Sequence, residues 1–330
     1  MAAAVPPAAI SRQPYAFAAQ RAQMPDPIQF KTSMDFAYGA PKVLAPDIVR
    51  VVANNPGPFT FKGTNTYVVG TTTLAIIDPG PEDAVHLEAI LKVVAGRPVS
   101  HILITHTHRD HIDGLARLAE ATGARIAGYG RSKLAIPEVM NSPAGHLAFA
   151  PGIEMRDGDA VSGPGWSLKA IFTPGHAPDH LCFELERRRI LFSGDHVMAW
   201  NTSVVAPPEG NMGAYYASLE RLTGDGFDVF MPGHGGRLEH PQRMVKAFLV
   251  HRRWREQAIL GTIRDGAETI EAVAGLVYRG LDPRLSTAAK LSVQAHVEHL
   301  IGRGLVASAG PLSFEQRLSA VSAPPASPAP

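Results

Sequence analysis

Short β-rich runs separated by Gly and Pro open the folded part of the chain. Residues 49–52, 65–69 and 73–78 are rich in β-branched and apolar side chains, which predicts three strands in a meander. Apolar residues then recur at helical spacing over 82–94, a strand pattern follows over 101–105, and a helix over 111–121 leads to a strand over 124–127. Strands and helices therefore alternate, which indicates an α/β fold.

A second β-rich stretch begins near residue 167. It contains strand patterns at 168–172, 181–185 and 189–192, followed by a helix over 212–223 and a strand over 228–231. Two β-rich halves, each followed by helices, predict two sheets packed face to face with helices outside, a four-layer αββα sandwich.

Helices dominate the sequence beyond the long helix predicted over 241–260. Ile270, Val273, Ala274 and Val277 follow the i, i+3, i+4, i+7 pattern, and Val293, Val297, Leu300 and Ile301 repeat it. We expect a small unit of winged-helix type whose wing strands lie at 305–306 and 312–314.

The composition predicts four segments along the chain. An Ala- and Pro-rich extended arm occupies 1–45, a catalytic domain 46–260, a winged-helix-like domain 261–318, and a disordered Pro-, Ala- and Ser-rich tail 319–330. The tail and the arm lack the apolar periodicity of the segments between them.

Charge and cysteine content narrow the functional classes. The 330 residues include 31 basic and 30 acidic side chains, so the net charge of +1 produces no global field for a polyanion or a membrane surface. Cys182 is the single cysteine, which excludes an intrachain disulfide and a four-cysteine zinc site, and we expect it to pack in the core. No apolar run approaches the roughly 18 residues of a membrane span. A cytoplasmic location is expected, with the mitochondrial matrix as the alternative because residues 1–25 contain Arg12 and Arg21 but no acid.

The strongest chemical signal follows the strand predicted over 101–105. Residues 105–111 read T-H-T-H-R-D-H, and such a density of imidazole and carboxylate groups at a strand end indicates a metal site. More candidates stand in Gly-rich loops after later strands, so strand-end loops of one edge can bring them together. The full candidate set is His106, His108, Asp110, His111, His176, Asp195 and His234. It suffices for two ions; nitrogen and oxygen ligands suit two Zn²⁺, and Fe or Mn fit as well. Two ions about 3.5 to 4 Å apart would share a bridging hydroxide, which is hydrolytic chemistry.

The T-H-x-H-x-D-H run followed by separated His, Asp and His resembles the metallo-β-lactamase fold superfamily. The resemblance implies three histidines on a first metal, two histidines and an aspartate on a second, and Asp195 bridging both. It places His106, His108 and His176 in the first set and Asp110, His111 and His234 in the second. It also implies that Asp78, at the end of the 73–78 strand, orients the ligands.

A finer resemblance extends over most of the chain. Residues 55–58, 63–67 and 173–180 resemble the lactamase-β-like-2 branch, which includes a mitochondrial endoribonuclease selective for single strands. It implies a single-stranded RNA endonuclease; the alternative is a thioesterase, lactonase or glyoxalase II-like hydrolase of small substrates. Because Asp195 stands where common zinc β-lactamases often have Cys, antibiotic hydrolysis is expected only as a weak side activity.

Several roles remain open at the level of sequence. Asp110 is a candidate to pass a proton to the leaving group, and His180 is either a second catalytic group or a structural histidine. The helix over 241–257 carries five cations, Arg243, Lys246, Arg252, Arg253 and Arg255, which either guide RNA or form a solvated face. Three roles are open for the C-terminal unit: binding nucleic acid, covering the active-site groove, or forming a homodimer contact.

Overall fold

The computed structural model describes residues 28–130, 149–224 and 226–321. Most of the predicted arm and of the predicted tail lies outside these residues. Two edges of the predicted segments differ from the structure, since a paired strand begins at Lys42 within the arm and another ends at Ala320 within the tail.

The first sheet has seven strands in chain order. They are β1 (Lys42–Ala45), β2 (Ile48–Val52), β3 (Asn65–Val69), β4 (Leu74–Ile77), β5 (Val99–Leu103), β6 (Arg125–Gly128) and β7 (Ile153–Glu154). The pairs from β1 to β4 are antiparallel, which confirms the meander, and the pairs from β4 to β7 are parallel.

The second sheet has six strands in the order β13-β12-β11-β10-β9-β8. They are β8 (Ala160–Gly163), β9 (Trp166–Phe172), β10 (Leu181–Leu185), β11 (Ile190–Gly194), β12 (Val229–Pro232) and β13 (Leu238–Glu239). All pairs are antiparallel except β11 with β12. The strands β1, β7, β8 and β13 are absent from the sequence prediction, and two of them, β7 and β13, have only two residues, which is too short for a pattern.

Helices cover the outer faces of both sheets. They are α1 (Ala84–Val94), α2 (Arg109–Ile112), α3 (Leu115–Thr122), α4 (Met212–Arg221) and α5 (Pro241–Arg264). The single helix predicted over 111–121 is wrong, because the chain breaks into α2 and α3 at Gly114. The Gly114 amide donates to the carbonyl of Gly80, and a Cβ there would lie 3.0 Å from the carbonyl oxygen of Pro81.

Strand alternation places the core in three apolar layers. Tyr67 and Ile77 point between the sheets, whereas Val68 and Ile76 point toward the helices on the outer face of the first sheet. Phe230 and its neighbours in the second sheet pack against α4 and α5 in the same way. This confirms the αββα sandwich.

The C-terminal unit has its own apolar cluster. It consists of α6 (Ile270–Val277), a 3₁₀ turn (Pro283–Leu285), α7 (Ser286–Gly302), and the antiparallel pair β14 (Val306–Ser308) and β15 (Leu318–Ala320). The wing strand predicted at 312–314 is wrong, and β15 takes its place. Among the described residues, no helix combines the length and the hydropathy that crossing a membrane requires.

Candidate metal centre

The predicted ligands lie in loops that follow strands of both sheets. Residues 105–111 follow β5 of the first sheet, while His176, Asp195 and His234 follow β9, β11 and β12 of the second. The sandwich therefore brings ligands more than a hundred residues apart in sequence to one edge.

Three imidazoles form the first ligand group. The Nδ1 atom of His108 lies 3.0 Å from Nε2 of His106 and 3.0 Å from Nε2 of His176. All three rings are buried or nearly so, and the three atoms face one another.

Two imidazoles and a carboxylate form the second ligand group. The Nε2 atoms of His111 and His234 are 3.3 Å apart, and Oδ2 of Asp110 lies 3.4 Å from the first and 3.2 Å from the second. Both rings are fully or almost fully buried, whereas the Asp110 side chain is 27% exposed.

Asp195 connects the two groups. Its Oδ2 atom lies 3.2 Å from Nε2 of His234 in the second group and 3.7 Å from Nε2 of His176 in the first. Its Oδ1 atom lies 3.5 Å from Nε2 of His111 and makes no hydrogen bond. One carboxylate therefore faces ligand atoms of both groups, the arrangement expected of a bridge.

The hydrogen bonds behind the first group fix which ring nitrogens are free. His176 donates from Nδ1 to the carbonyl of Val204 at 2.6 Å, and Nε2 of His108 faces the carboxylate of Glu209 at 3.3 Å. Thr105 Oγ1 donates to Asp78, so Nδ1 of His106 donates to Thr105 Oγ1 at 3.0 Å. A neutral imidazole has one N–H, so each ring directs a lone pair inward. Three converging lone pairs repel one another without a cation between them, and the set fits a divalent transition metal.

The electrostatics of the two groups differ. Burial, together with the neighbouring imidazoles, lowers the pKa of His106 well below its ordinary range and that of His176 to about 4. Burial also opposes the charge on His234, but the carboxylates of Asp195 and Asp110 outweigh it and raise its pKa to about 9. Protons therefore compete with a cation for the second group more than for the first.

Asp78 lies directly behind the ligand loop. Its carboxylate accepts hydrogen bonds from the backbone N–H of Thr105 at 2.8 Å, from Thr105 Oγ1 at 2.7 Å and from Nδ1 of His111 at 2.9 Å. Because both the loop and a ligand ring are held by this one buried carboxylate, Asp78 occupies the orienting position that the sequence resemblance implied.

Three further residues at the centre were not predicted from the sequence as parts of the site. Glu209 faces His108, and Thr64 donates to Oδ2 of Asp110 at 3.0 Å while Asn55 holds the Thr64 side chain and amide. Asn55 and Thr64 belong to the segments that carried the finer resemblance, so a signal existed for them. Glu209 stands in an irregular loop with no such signal.

His180 does not line the open site. It is fully buried, its Nε2 accepts from the backbone N–H of Asp195 at 3.1 Å, and its Nδ1 pairs with Thr173 Oγ1 at 2.9 Å. With both nitrogens engaged by the protein, the ring supports the Asp195 loop, which favours a structural histidine over a second catalytic group. Cys182 is buried beside it, and burial raises the pKa of its thiol to about 12.

The cations predicted on one helix divide into buried and exposed members. Arg252 is buried and donates to the carbonyl of Ser203, and Arg255 packs over the ring of Tyr278. Arg253 pairs with Glu220. Only two of the five, Arg243 and Lys246, are exposed without such a contact among the described residues, which is too few for a phosphate-binding stripe.

Comparison with known families agrees with this architecture. Residues 59–234, more than half of the chain, match the family model of the metallo-beta-lactamase superfamily, and residues 269–311 match that of the beta-lactamase associated winged helix domain. The chain belongs to the metallo-beta-lactamase superfamily and is a metal-dependent hydrolase with a C-terminal winged helix domain.

Several relatives have similar sequences over most of their length. The lactamase-like protein adaB of Aspergillus niger is 33% identical over 231 residues, 69% of this chain and 67% of that protein. The atrochrysone carboxyl ACP thioesterase of Aspergillus terreus is 30% identical over 291 residues, 83% of each. The beta-lactamase-like protein 2 homolog of Caenorhabditis elegans is 30% identical over 272 residues, 80% of this chain and 87% of that protein.

Two solved structures share the fold. A beta-lactamase domain protein from Burkholderia ambifaria matches with a TM-score of 0.74 and 19% identity, covering 88% of this chain and 97% of that one. A metallo-beta-lactamase family protein from Thermus thermophilus matches with a TM-score of 0.69 and 24% identity, covering 84% and 100%. These identities support the fold alone.

Proposed function

We propose that this protein hydrolyses acyl thioesters with two Zn²⁺ ions held by the paired ligand groups. The observation that carries the proposal is the carboxylate of Asp195, which faces ligand atoms of both groups and leaves Oδ1 without a hydrogen bond. The name of the Aspergillus terreus relative, which matches over 83% of this chain, supports a thioester as the substrate.

Bound metal ions would polarise the acyl carbonyl and supply an activated water at neutral pH. His106, His108 and His176 would hold one ion, Asp110, His111 and His234 the other, and Asp195 both. Asp78 and Glu209 fix the rotation of ligand rings, so the centre needs little rearrangement when substrate binds.

Asp110 is the residue that we assign to proton transfer. Its side chain is the most exposed of the ligand set at 27%, so it is the carboxylate that a bound substrate reaches. Thr64 Oγ1 donates to Oδ2 of Asp110 and holds its orientation. In this proposal the Asp110 carboxylate accepts the proton that the activated water loses on attacking the acyl carbon, and passes it to the sulfur of the departing thiolate.

A single-stranded RNA endonuclease is the second candidate. The winged helix domain and the match to the beta-lactamase-like protein 2 homolog favour it. The contacts of buried Arg252 and half-buried Arg255 weaken it, because these side chains are engaged within the protein. Lactones undergo the same carbonyl chemistry as thioesters, and glyoxalase II substrates are themselves acyl thioesters.

A substrate panel tests the proposal. Zinc-loaded protein is offered acetyl-, decanoyl- and benzoyl-coenzyme A, a lactone, the glyoxalase II substrate lactoylglutathione, labelled single-stranded RNA and nitrocefin, with Asp195→Ala as the matched inactive control. We expect thiol release from at least one of the four thioesters, lactoylglutathione included, at a rate well above hydrolysis of the lactone, the RNA or nitrocefin. Efficient RNA cleavage by the wild type, absent in Asp195→Ala and accompanied by no thiol release, would replace the proposal with the second candidate.

A further inference from the structure

The first ligand group is assembled from two different sheets. His106 and His108 belong to the loop after β5 in the first sheet, and His176 belongs to the loop after β9 in the second. The 3.0 Å distance between Nδ1 of His108 and Nε2 of His176 therefore depends on how the two loops are held against each other. An error of about 1 Å in such a constellation is enough to degrade a site.

Two hydrogen bonds link these loops. The backbone N–H of Leu181 donates to the carbonyl of Thr105 at 2.7 Å, and Thr107 Oγ1 donates to Oδ2 of Asp179 at 2.6 Å. The second bond begins at the residue between the two ligands of one loop and ends three residues beyond the ligand of the other.

The hydrogen bond between Thr107 and Asp179 is shielded from solvent. Both residues are 2% exposed, so solvent does not compete for the hydroxyl or for the carboxylate. A buried hydrogen bond to a carboxylate is shorter and stronger than one between neutral groups, and the O–O distance of 2.6 Å fits that class. The bond is thus strong enough to fix the position of the Thr107 side chain.

We propose that Asp179 is a positioning residue that acts through Thr107 to set the metal affinity of the first ligand group. In this hydrogen bond Asp179 contacts Thr107, which is not itself a metal ligand. It holds the His106 and His108 loop at the distance from His176 that one ion requires. The inference rests on the paired ligand groups and is independent of the substrate.

Loss of the hydrogen bond between Thr107 and Asp179 should affect metal binding by the first ligand group only. The second group takes Asp110 and His111 from α2 and His234 from the loop after β12, and its supporting contacts run through Asp78 and Thr64. Loss of the bond should therefore weaken one of the two metal-binding steps and spare the other.

The test is a Zn²⁺ titration of the full-length protein against a competing chelator. His176→Ala and His234→Ala first identify which of the two binding steps belongs to which ligand group. Thr107→Val, which removes the hydroxyl while keeping the side-chain shape, and Asp179→Ala are then compared with the wild type. Thr107→Ser and Asp179→Asn retain a donor and an acceptor and are the conservative variants, and Asp47→Asn changes a largely buried carboxylate paired with Arg188 instead.

We expect Thr107→Val and Asp179→Ala each to weaken the first-group step by about tenfold or more, the usual cost of losing an outer partner of a metal ligand. The variant that carries both substitutions should lose no more first-group zinc affinity than the more affected single variant, because each substitution removes the same hydrogen bond. Thr107→Ser and Asp179→Asn should recover most of the affinity, and Asp47→Asn should match the wild type.

Two results would overturn the proposal. The first is an unchanged first-group affinity in Thr107→Val, a variant chosen to fold even if Asp179→Ala does not. The second is an equal loss in both binding steps together with a lower unfolding temperature, since that pattern belongs to a general structural role.

Discussion

The buried carboxylate of Asp78 holds several groups of the metal centre in place. Its two oxygens accept from the amide and hydroxyl of Thr105 and from the ring of His111, so the ligand loop and one ligand share a single anchor. Asp179 anchors the same loop from the opposite sheet through Thr107. The ligands are thus held by residues that need never contact substrate.

The first prediction concerns Asp78→Asn. An asparagine of the same shape offers one acceptor oxygen where the carboxylate offers two, so at least one buried donor loses its partner at a cost of about 1 to 3 kcal/mol. The free energy of unfolding of the metal-free protein, measured in urea, should fall by that amount, and zinc affinity should fall about tenfold. Asp228→Asn, at an exposed pair with Arg189, is the control and should change neither. Equal values for the two variants would refute the role of Asp78.

At the scale of elements, the position of His176 depends on a close approach between its loop and α4. Gly175 has a φ of 137°, and a Cβ there would lie 2.4 Å from the Cα atom of Tyr215. The carbonyl of Gly175 also accepts from the backbone N–H of Asn211 at the start of the helix. Glycine is needed here for space as well as for conformation.

Gly175→Ala should therefore push the loop and the helix apart. Overpacking of this kind costs about 1 to 3 kcal/mol, and His176 should move with the loop, which weakens zinc binding. Gly165→Ala is the matched control, because Gly165 has a φ of 83° but nothing within 4 Å of the added Cβ. The comparison uses urea unfolding and zinc titration of both variants; a control that loses as much stability and affinity as Gly175→Ala would exclude the steric argument.

The elements also show what a sequence can and cannot reveal. Strands such as β3 and β4 were predictable because their alternating side chains must face two different apolar layers. The ligands were recognisable because four of the seven are packed into residues 105–111. Glu209, which faces His108, was not, since it stands in an irregular loop and follows no strand pattern. The sequence placed Arg252 among the cations of a charged helix face. In the structure this side chain is buried and donates to the carbonyl of Ser203.

At the scale of the whole molecule, buried and partly buried histidines outside the centre make stability depend on pH. Burial lowers the pKa of His86, His251 and His296 from an ordinary 6.5 to about 4 in each case. The unfolded chain therefore binds protons before the folded chain does, so the free energy of unfolding decreases as the pH falls from about 6.5 toward about 4.

His86 gives this dependence a test. For this buried ring, the shift from 6.5 to about 4 corresponds to about 3 kcal/mol. His86→Gln cannot titrate, so its stability relative to the wild type should improve by up to that amount between about pH 7 and about pH 4. Urea unfolding of metal-free proteins across this range measures the difference, and the contributions of all other groups cancel. A difference that does not vary with pH would show that His86 titrates normally.

Loops from two sheets bring seven side chains together as two ligand groups, and Asp195 faces both of them. The most direct test is elemental analysis of zinc-reconstituted, dialysed protein alongside Asp195→Ala and Asp47→Asn. We expect about two ions per chain in the wild type and in Asp47→Asn, as a paired metal site requires, and fewer in Asp195→Ala. A fully folded wild type that retains no zinc, or an Asp195→Ala variant that retains as much as the wild type, would contradict this expectation.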